Sequence, residues 1–371
     1  MYRYEAIREV HVELTTRCNA SCPQCPRNIS GGEVNPALPI AELGLEDVHR
    51  IFPAELVRQL RKIYACGNYG DPMVARDTLP IFDYLRRENG AMELGMFTNG
   101  SGRTATFWAE LAKIVSYVRF SIDGLEDTNH LYRRGTHWPR IMESVEAFIG
   151  AGGRAEWDFI VFRHNEHQIE EARALADKLG FRRFFVKKTS RFFAGGPTTL
   201  PGAAGAASAD GAAIGLSKQV RDRDGTAAYV IEEPQSPLFK NPAVVRLNQL
   251  GRFADYVAET EISCKAIAHS RLYVSAEGLV FPCCWTGALY PPGRPAGTAQ
   301  MWDLVRQLPE GKASLDGRTR SIREIVEGPF FQELVPAGWE KRSVKDGRLQ
   351  QCVRACGAHD IHSAQYGASL L

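Results

Sequence analysis

Three cysteines near the start of the chain, Cys18, Cys22 and Cys25, lie in the run RCNASCPQCP. Their C-x3-C-x2-C spacing leaves them one thiolate short of a closed metal site. Structural zinc takes four protein ligands, and so does a closed iron–sulfur cube. Three thiolates from one short loop can hold three corners of a [4Fe–4S] cluster and leave the fourth iron open to a small molecule. A zinc knuckle is the competing chemistry. It would need a fourth ligand from elsewhere, such as His11.

A second group, Cys264, Cys283, Cys284, Cys352 and Cys356, lies towards the other end, and Cys66 stands apart. Nine cysteines in a chain whose first residues lack the apolar stretch of a secretory signal read as metal ligands rather than disulfides. No apolar run is long enough to span a bilayer, so the expected location is cytoplasmic. A formal net charge of +2 gives no case for nucleic-acid or membrane partners. With 371 residues, 44% apolar and 24% charged, the chain can bury one large domain and a smaller one.

Around these cysteines, strand-like and helical runs alternate. Val10–Thr15, Arg61–Cys66, Met92–Phe97, Tyr117–Ile122, Glu156–Phe162 and Arg183–Lys187 read as strands. Glu46–Leu60, Thr78–Glu88, Ala105–Val115, Trp138–Ile149 and His167–Lys178 have helical spacing. Short connections between them imply parallel strands with right-handed crossovers. The expected fold is α/β, a partial (β/α)6 TIM-like barrel. Such barrels carry their chemistry at the C-terminal strand ends, where the polar signatures of this chain also fall. Gly195–Gly215 reads as a flexible linker. Arg271–Val280 reads as a hairpin turning at Ala276-Glu277-Gly278, and Ser321–Leu334 as helical. The expected division is a barrel over 1–194, a linker or insertion over 195–255, and a cysteine-bearing domain over 256–371.

C-x3-C-x2-C after the first strand of a six-unit α/β barrel resembles the radical S-adenosylmethionine (SAM) enzymes. The resemblance implies that Cys18, Cys22 and Cys25 ligate a [4Fe–4S] cluster whose open iron chelates the amine and carboxylate of SAM. One electron then cleaves the sulfonium, and the resulting 5′-deoxyadenosyl radical abstracts a substrate hydrogen. A donor such as flavodoxin or ferredoxin would supply the electron. Gly67–Pro72 looks like the family's Gly-Gly-Glu-Pro motif, which holds the methionine amine. The carry-over lands on Gly70, Asp71 and Pro72, with aspartate where glutamate is usual and Asn68-Tyr69 inserted in the loop. By the same resemblance Ser121 and Asp123 would meet the ribose hydroxyls. Arg133 or Arg134 would pair with the methionine carboxylate through the guanidinium fork. Thr98 and Asn99 would line the cofactor, and Asn165 would contact adenine.

The back cysteines resemble the auxiliary-cluster domains called SPASM and twitch, built on a β-hairpin and a helix. Gly278–Cys283 resembles their hairpin motif. A full SPASM domain has cysteines for two clusters; the five here allow one auxiliary [4Fe–4S] cluster on Cys264, Cys283, Cys352 and Cys356. Cys284 is the alternative to Cys283. Paired cysteines are also a zinc signature. Cys66, at the end of the second strand, could return a hydrogen atom to a substrate radical, or could be a small buried hydrophobe. The leading functional reading is modification of a ribosomally synthesised peptide. Only about ten residues precede the first strand, so a separate partner would deliver that peptide. The alternatives are a dehydrogenase or epimerase of a sugar or aminocyclitol, and a non-catalytic iron–sulfur electron carrier. A carrier would need no ribose or carboxylate contacts.

Overall fold

The computed structural model describes residues 3–193, 216–250, 253–361 and 363–365. Within them the six expected parallel strands form: β1 (Glu9–Val12), β2 (Lys62–Ala65), β3 (Glu93–Thr98), β4 (Tyr117–Ser121), β5 (Ala155–Ile160) and β6 (Arg183–Lys187). They pair in sequence order, each parallel to the next. Helices return the chain between them: α1 (Leu45–Ile51), α2 (Ala54–Gln59), α3 (Thr78–Glu88), α4 (Ala105–Ile114), α5 (Asn129–Tyr132), α6 (Trp138–Gly150) and α7 (Ile169–Leu179). This is the partial α/β barrel that the alternation implies.

Successive strand residues face opposite ways, and the two faces differ in kind. Val10, Val12, Ile63, Leu94, Met96, Val118, Phe120, Trp157 and Phe159 are fully buried in one apolar core with Leu56, Ile81, Leu85, Trp108, Leu111, Val145 and Phe148 of the helices. The alternate residues make a polar and aromatic face. There Glu9 pairs with Arg271 at 2.8 Å and Lys62 with Glu93 at 3.1 Å. Arg119 bridges Glu156 (2.7 Å) and Asp158 (3.6 Å), and Lys187 meets Asp158 at 3.4 Å. His11 stacks on Tyr64, and Arg119 lies over the rings of Phe97 and Phe185.

Several elements depart from the expected boundaries. Helical spacing over Glu46–Leu60 resolves into two helices because Pro53 intervenes. Proline has no N–H to donate and pushes Phe52 out of the helical region, to φ −120° and ψ 70°. β1 ends at Val12 rather than Thr15. Beyond it the chain pairs instead with residues 41–43, through the Thr15–Glu42 bridge and the Leu43 N–H to Leu14 carbonyl bond. The run Ser321–Leu334 is interrupted: a capped helix Ile322–Glu327 stops at Gly328-Pro329, and a wider turn Phe330–Leu334 leads into Val335–Glu340.

The expected linker at 195–215 lies outside the described residues. An antiparallel ribbon of β7 (Ser217–Arg221) and β8 (Ala227–Glu232) precedes a helix over Pro242–Gln249. The ribbon lies against the cysteine loop: Arg221 N–H donates to Ser30, Tyr229 Oη to the Leu131 carbonyl, and Arg134 pairs with Asp222 at 2.5 Å.

The back hairpin forms as expected, but it makes no sheet of its own. β9 (Arg271–Val274) lies parallel to β1, and β10 (Val280–Phe281) folds back antiparallel on β9. Gly278 takes φ +79° at the turn, a conformation glycine adopts without strain. The sheet therefore runs β10-β9-β1-β2-β3-β4-β5-β6. Among the described residues no helix is long and apolar enough to cross a membrane.

A chain stopped after Glu261 lacks β9 and β10 and bares the β1 edge beside buried Val10 and Val12. Unpaired apolar edges template aggregation. The expected outcome is loss of most soluble protein relative to the full chain, read by soluble yield and gel filtration.

Candidate functional site

The cysteine loop leaves the C-terminal end of β1, and three segments, two just past strand ends and one at the end of α5, each place a polar group on one of its thiols. Asn99, just past β3, turns its Nδ2 to Cys18 Sγ at 3.8 Å, where the Ala20 N–H also points at 3.3 Å. Arg133, after β4, turns a guanidinium nitrogen to Cys22 Sγ at 3.9 Å. Cys25 Sγ lies 3.9 Å from the carbonyl of Asn68, past β2. Burial pushes the Cys22 thiol up to about 11 against the pull of Arg133. Loading the loop with metal must overcome that cost of ionisation. His11 faces elsewhere: its Nε2 meets the Cys66 carbonyl at 2.5 Å. Among the described residues no three His, Cys, Asp or Glu side chains gather as a single ion would need.

The loop Gly67–Pro72 packs without room to spare. A Cβ on Gly67 would fall 2.0 Å from the Gly70 carbonyl oxygen, and one on Gly70 would fall 1.8 Å from that of Thr15. Asp71 is buried and accepts four hydrogen bonds. Thr98 Oγ1 (2.8 Å) and Met73 N (3.1 Å) meet Oδ1; Asn99 N (2.7 Å) and Asn99 Nδ2 (2.8 Å) meet Oδ2. Thr98 and Asn99 are thereby fixed against Asp71, and Asn99 also reaches Asn19 at 2.9 Å. Burial raises the Asp71 carboxyl while these bonds oppose the rise.

A residue that the spacing of motifs did not single out organises this loop. Glu13 is 1% exposed, one residue past β1. Its Oε1 accepts the N–H groups of Tyr69 (2.7 Å) and Gly70 (2.9 Å), and its Oε2 accepts the Tyr273 hydroxyl (2.6 Å). Burial pushes the carboxyl up to about 7, with the three donors pulling the other way. The signal in the sequence is a glutamate two residues after His11 on the inward alternation of an apolar strand.

Past β4, Asp123 is fully buried and braces its neighbours. Its Oδ2 holds Arg133 Nε at 2.6 Å and its Oδ1 accepts the Ile160 N–H at 2.6 Å. Asn165 is also buried. Its Oδ1 accepts from Phe162 N, and its Nδ2 donates to the carbonyls of Asp123 and Ile160. Both residues support the strand ends, and Ser121 at the end of β4 is partly open. Of the arginine pair, only Arg133 faces the thiols; Arg134 reaches Asp222, Gly31 and Arg221 on the ribbon side.

At the back, Cys264 and Cys356 are hydrogen-bonding neighbours, and Cys283 lies close enough to feel Cys356 and Cys352. Cys264 ends the loop before a short helix, Cys283 follows β10, and the other two share the helix Gln350–Cys356. Of the coupled pair, Cys356 is the member driven down, by the Cys264 hydrogen bond and by the N–H and ammonium of Lys265. Cys284 lies close enough to feel Cys283, Cys66 and Arg271. The Cys66 thiol is pushed up to about 12 by burial, which keeps its proton on.

A sequence model of the Radical SAM superfamily matches residues 12–201. A curated relative, GTP 3′,8-cyclase from Staphylococcus epidermidis, is 26% identical over 173 residues, which is 44% of this chain and 48% of the relative. The chain thus spans about half the length of the curated relatives it matches. Among solved structures, SuiB from Streptococcus suis is similar with a TM-score of 0.53 at 12% identity, covering 90% of this chain and 68% of SuiB. The anSMEcpe structure with bound AdoMet is similar with a TM-score of 0.51 at 11% identity, covering 90% of this chain and 81% of that one.

Two outcomes follow from the buried carboxylates. Asp71→Asn turns an NH2 group towards amide donors and leaves buried donors unpaired. The expected cost is about 1–3 kcal/mol per orphaned group, read as a lowered melting temperature. For Glu13, the folded protein keeps a proton that the unfolded chain has released between about pH 4.5 and 7. Its contribution to stability is therefore full below the unfolded value and falls as pH rises through that window, by at most about 3 kcal/mol. Glu13→Gln should flatten this part of the profile of melting temperature against pH.

Proposed function

The chain belongs to the Radical SAM superfamily and is an enzyme, and we propose that it reductively cleaves SAM in order to modify a ribosomally synthesised peptide. One observation carries the proposal: the thiols of Cys18, Cys22 and Cys25, on the loop after β1, are each met by a polar group from a different segment, past β3, at the end of α5 and past β2 respectively. That donor set fits a cluster held on three thiolates. Cys18, Cys22 and Cys25 would hold the cluster, and the cluster with SAM would supply the chemistry of hydrogen-atom abstraction from a substrate.

The chain's own residues prepare the place for it. Gly67 and Gly70 bring the backbone of the Asn68–Asp71 loop against the cysteine loop, where its carbonyls would receive the methionine amine. Arg133, fixed by Asp123, is the proposed partner of the methionine carboxylate. Ser121, at the end of β4, is the proposed ribose contact. Asp71 and Asn165 act through the residues they hold. Thr98 does the same, whereas Asn99 also touches Cys18. Cys264, Cys283, Cys352 and Cys356 are the proposed ligands of one auxiliary [4Fe–4S] cluster, which suits electron transfer because four thiolates leave no iron open. Cys66 remains the proposed hydrogen donor, since its raised pKa keeps an S–H bond available.

SuiB is similar in fold, and one structure of it (TM-score 0.50) is described with the precursor peptide SuiA, which is in keeping with a peptide substrate. The ion-paired strand face of Arg119, Asp158 and Lys187 favours a second reading. Such a surface also suits a small polar molecule such as a sugar or aminocyclitol. An external electron donor, flavodoxin or ferredoxin, and a separate peptide-delivery partner belong to the same proposal.

Anaerobic reconstitution should give about eight irons per chain; about four with zinc would remove the auxiliary cluster from the proposal. Alanine at Cys18, Cys22 and Cys25 should abolish 5′-deoxyadenosine formation from SAM under reducing conditions. Continued formation would refute the assignment of those ligands. Deuterium transfer into 5′-deoxyadenosine from a labelled peptide, against that from a labelled sugar, separates the two substrate readings.

A further inference from the structure

Asn68 and Tyr69, besides the aspartate at 71, set the loop past β2 apart from the family's Gly-Gly-Glu-Pro pattern, and both attach to the C-terminal part of the chain. Asn68 Nδ2 donates to the Cys284 carbonyl at 2.9 Å and lies 3.4 Å from the Tyr273 hydroxyl. The Tyr69 hydroxyl accepts the Tyr290 N–H at 3.0 Å. The backbone N–H groups of Tyr69 and Gly70 share Glu13, whose other oxygen takes the Tyr273 hydroxyl. Three consecutive loop residues are thus anchored, directly or through one carboxylate, to the segment Tyr273–Tyr290. That segment contains Cys283 and Cys284. On its other side the same loop touches the front thiols, through the Asn68 carbonyl at Cys25 and through Asp71 to Asn99 and Cys18.

We infer that Asn68 and Tyr69 are positioning residues that make SAM affinity at the front site depend on the order of the Tyr273–Tyr290 segment, and hence on whether the back cysteines are loaded. The inference rests on the proposal that the front thiols hold the SAM-binding cluster and the back thiols a metal centre. Physically, a loop held by hydrogen bonds from one segment keeps its carbonyls aimed only while that segment keeps its place. Pairing with β1 holds Tyr273 whatever the cysteines carry, whereas loading Cys283 would add a restraint on the Cys284 carbonyl and the turn that leads to Tyr290. The enzyme then binds SAM weakly until the second centre is in place, which limits radical formation in an incomplete protein.

The test is SAM binding to the reconstituted full chain by equilibrium dialysis, with the electron-paramagnetic-resonance change of the reduced front cluster on SAM addition as a second readout. Cys352→Ser, which impairs the back site, should weaken SAM binding about tenfold with front-cluster iron retained, and so should Asn68→Ala. The double variant should be no weaker than either single one, because both changes release the same loop. Unchanged affinity in Cys352→Ser, or effects that simply add, would overturn the inference. Tyr273→Phe removes the hydroxyl contact with Glu13 and keeps the packing. It should weaken SAM binding several-fold whatever metal the back cysteines hold, and an unchanged affinity would also overturn the inference. A wild-type iron content of about four per chain would instead mark failure of the auxiliary-cluster reading.

Discussion

Burying a carboxylate is costly unless donors replace the water it loses. Glu13 is the point where this chain meets that cost, and much of the architecture follows from how it does so. Its donors come from two places far apart in sequence, the loop past β2 and the hydroxyl of Tyr273 on β9. Neither alone would satisfy both oxygens. The carboxylate therefore ties the position of β9 to the shape of the loop, and the pairing of β9 with β1 is the sheet-level expression of the same tie. The hairpin is accordingly part of the site's wall rather than an appendage to the barrel.

The division of the sheet into an apolar and a charged face serves the same end. Apolar residues against the helices supply the burial that holds the barrel together, at roughly 25 cal/mol per Å². The opposite face carries ion pairs and aromatic rings in alternation, and partners such as Arg119 and Asp158 hold one another in place across adjacent strands. A face built in this way is polar yet ordered.

The six-strand alternation and the cysteine spacings were legible because both are local. Period-two apolar runs mark strands, and three thiols within eight residues need no fold to bring them close. The split at Pro53 was legible in principle, since proline rules apply residue by residue. The placement of β9 against β1 was not, because no local pattern says which edge a hairpin chooses. Glu13 was hidden for the same reason: its role depends on a hydroxyl 260 residues away. Asp123 and Asn165 were found at the right strand ends, but their polar atoms turn inward to hold neighbours. Sequence position alone cannot distinguish a contact from its support.

The adjacent pair Cys283-Cys284 sits where the back cysteines meet the barrel. β10 ends at Phe281, and the two cysteines follow Pro282 in a turn. Cys283 lies close enough to feel Cys352 and Cys356, and Cys284 close enough to feel Cys283, Cys66 and Arg271. The backbone carbonyl of Cys284 is also the acceptor for Asn68. A single dipeptide thus lies beside the other back cysteines and offers a carbonyl to the loop that touches the front thiols. One link between the two cysteine groups runs through that carbonyl and Asn68.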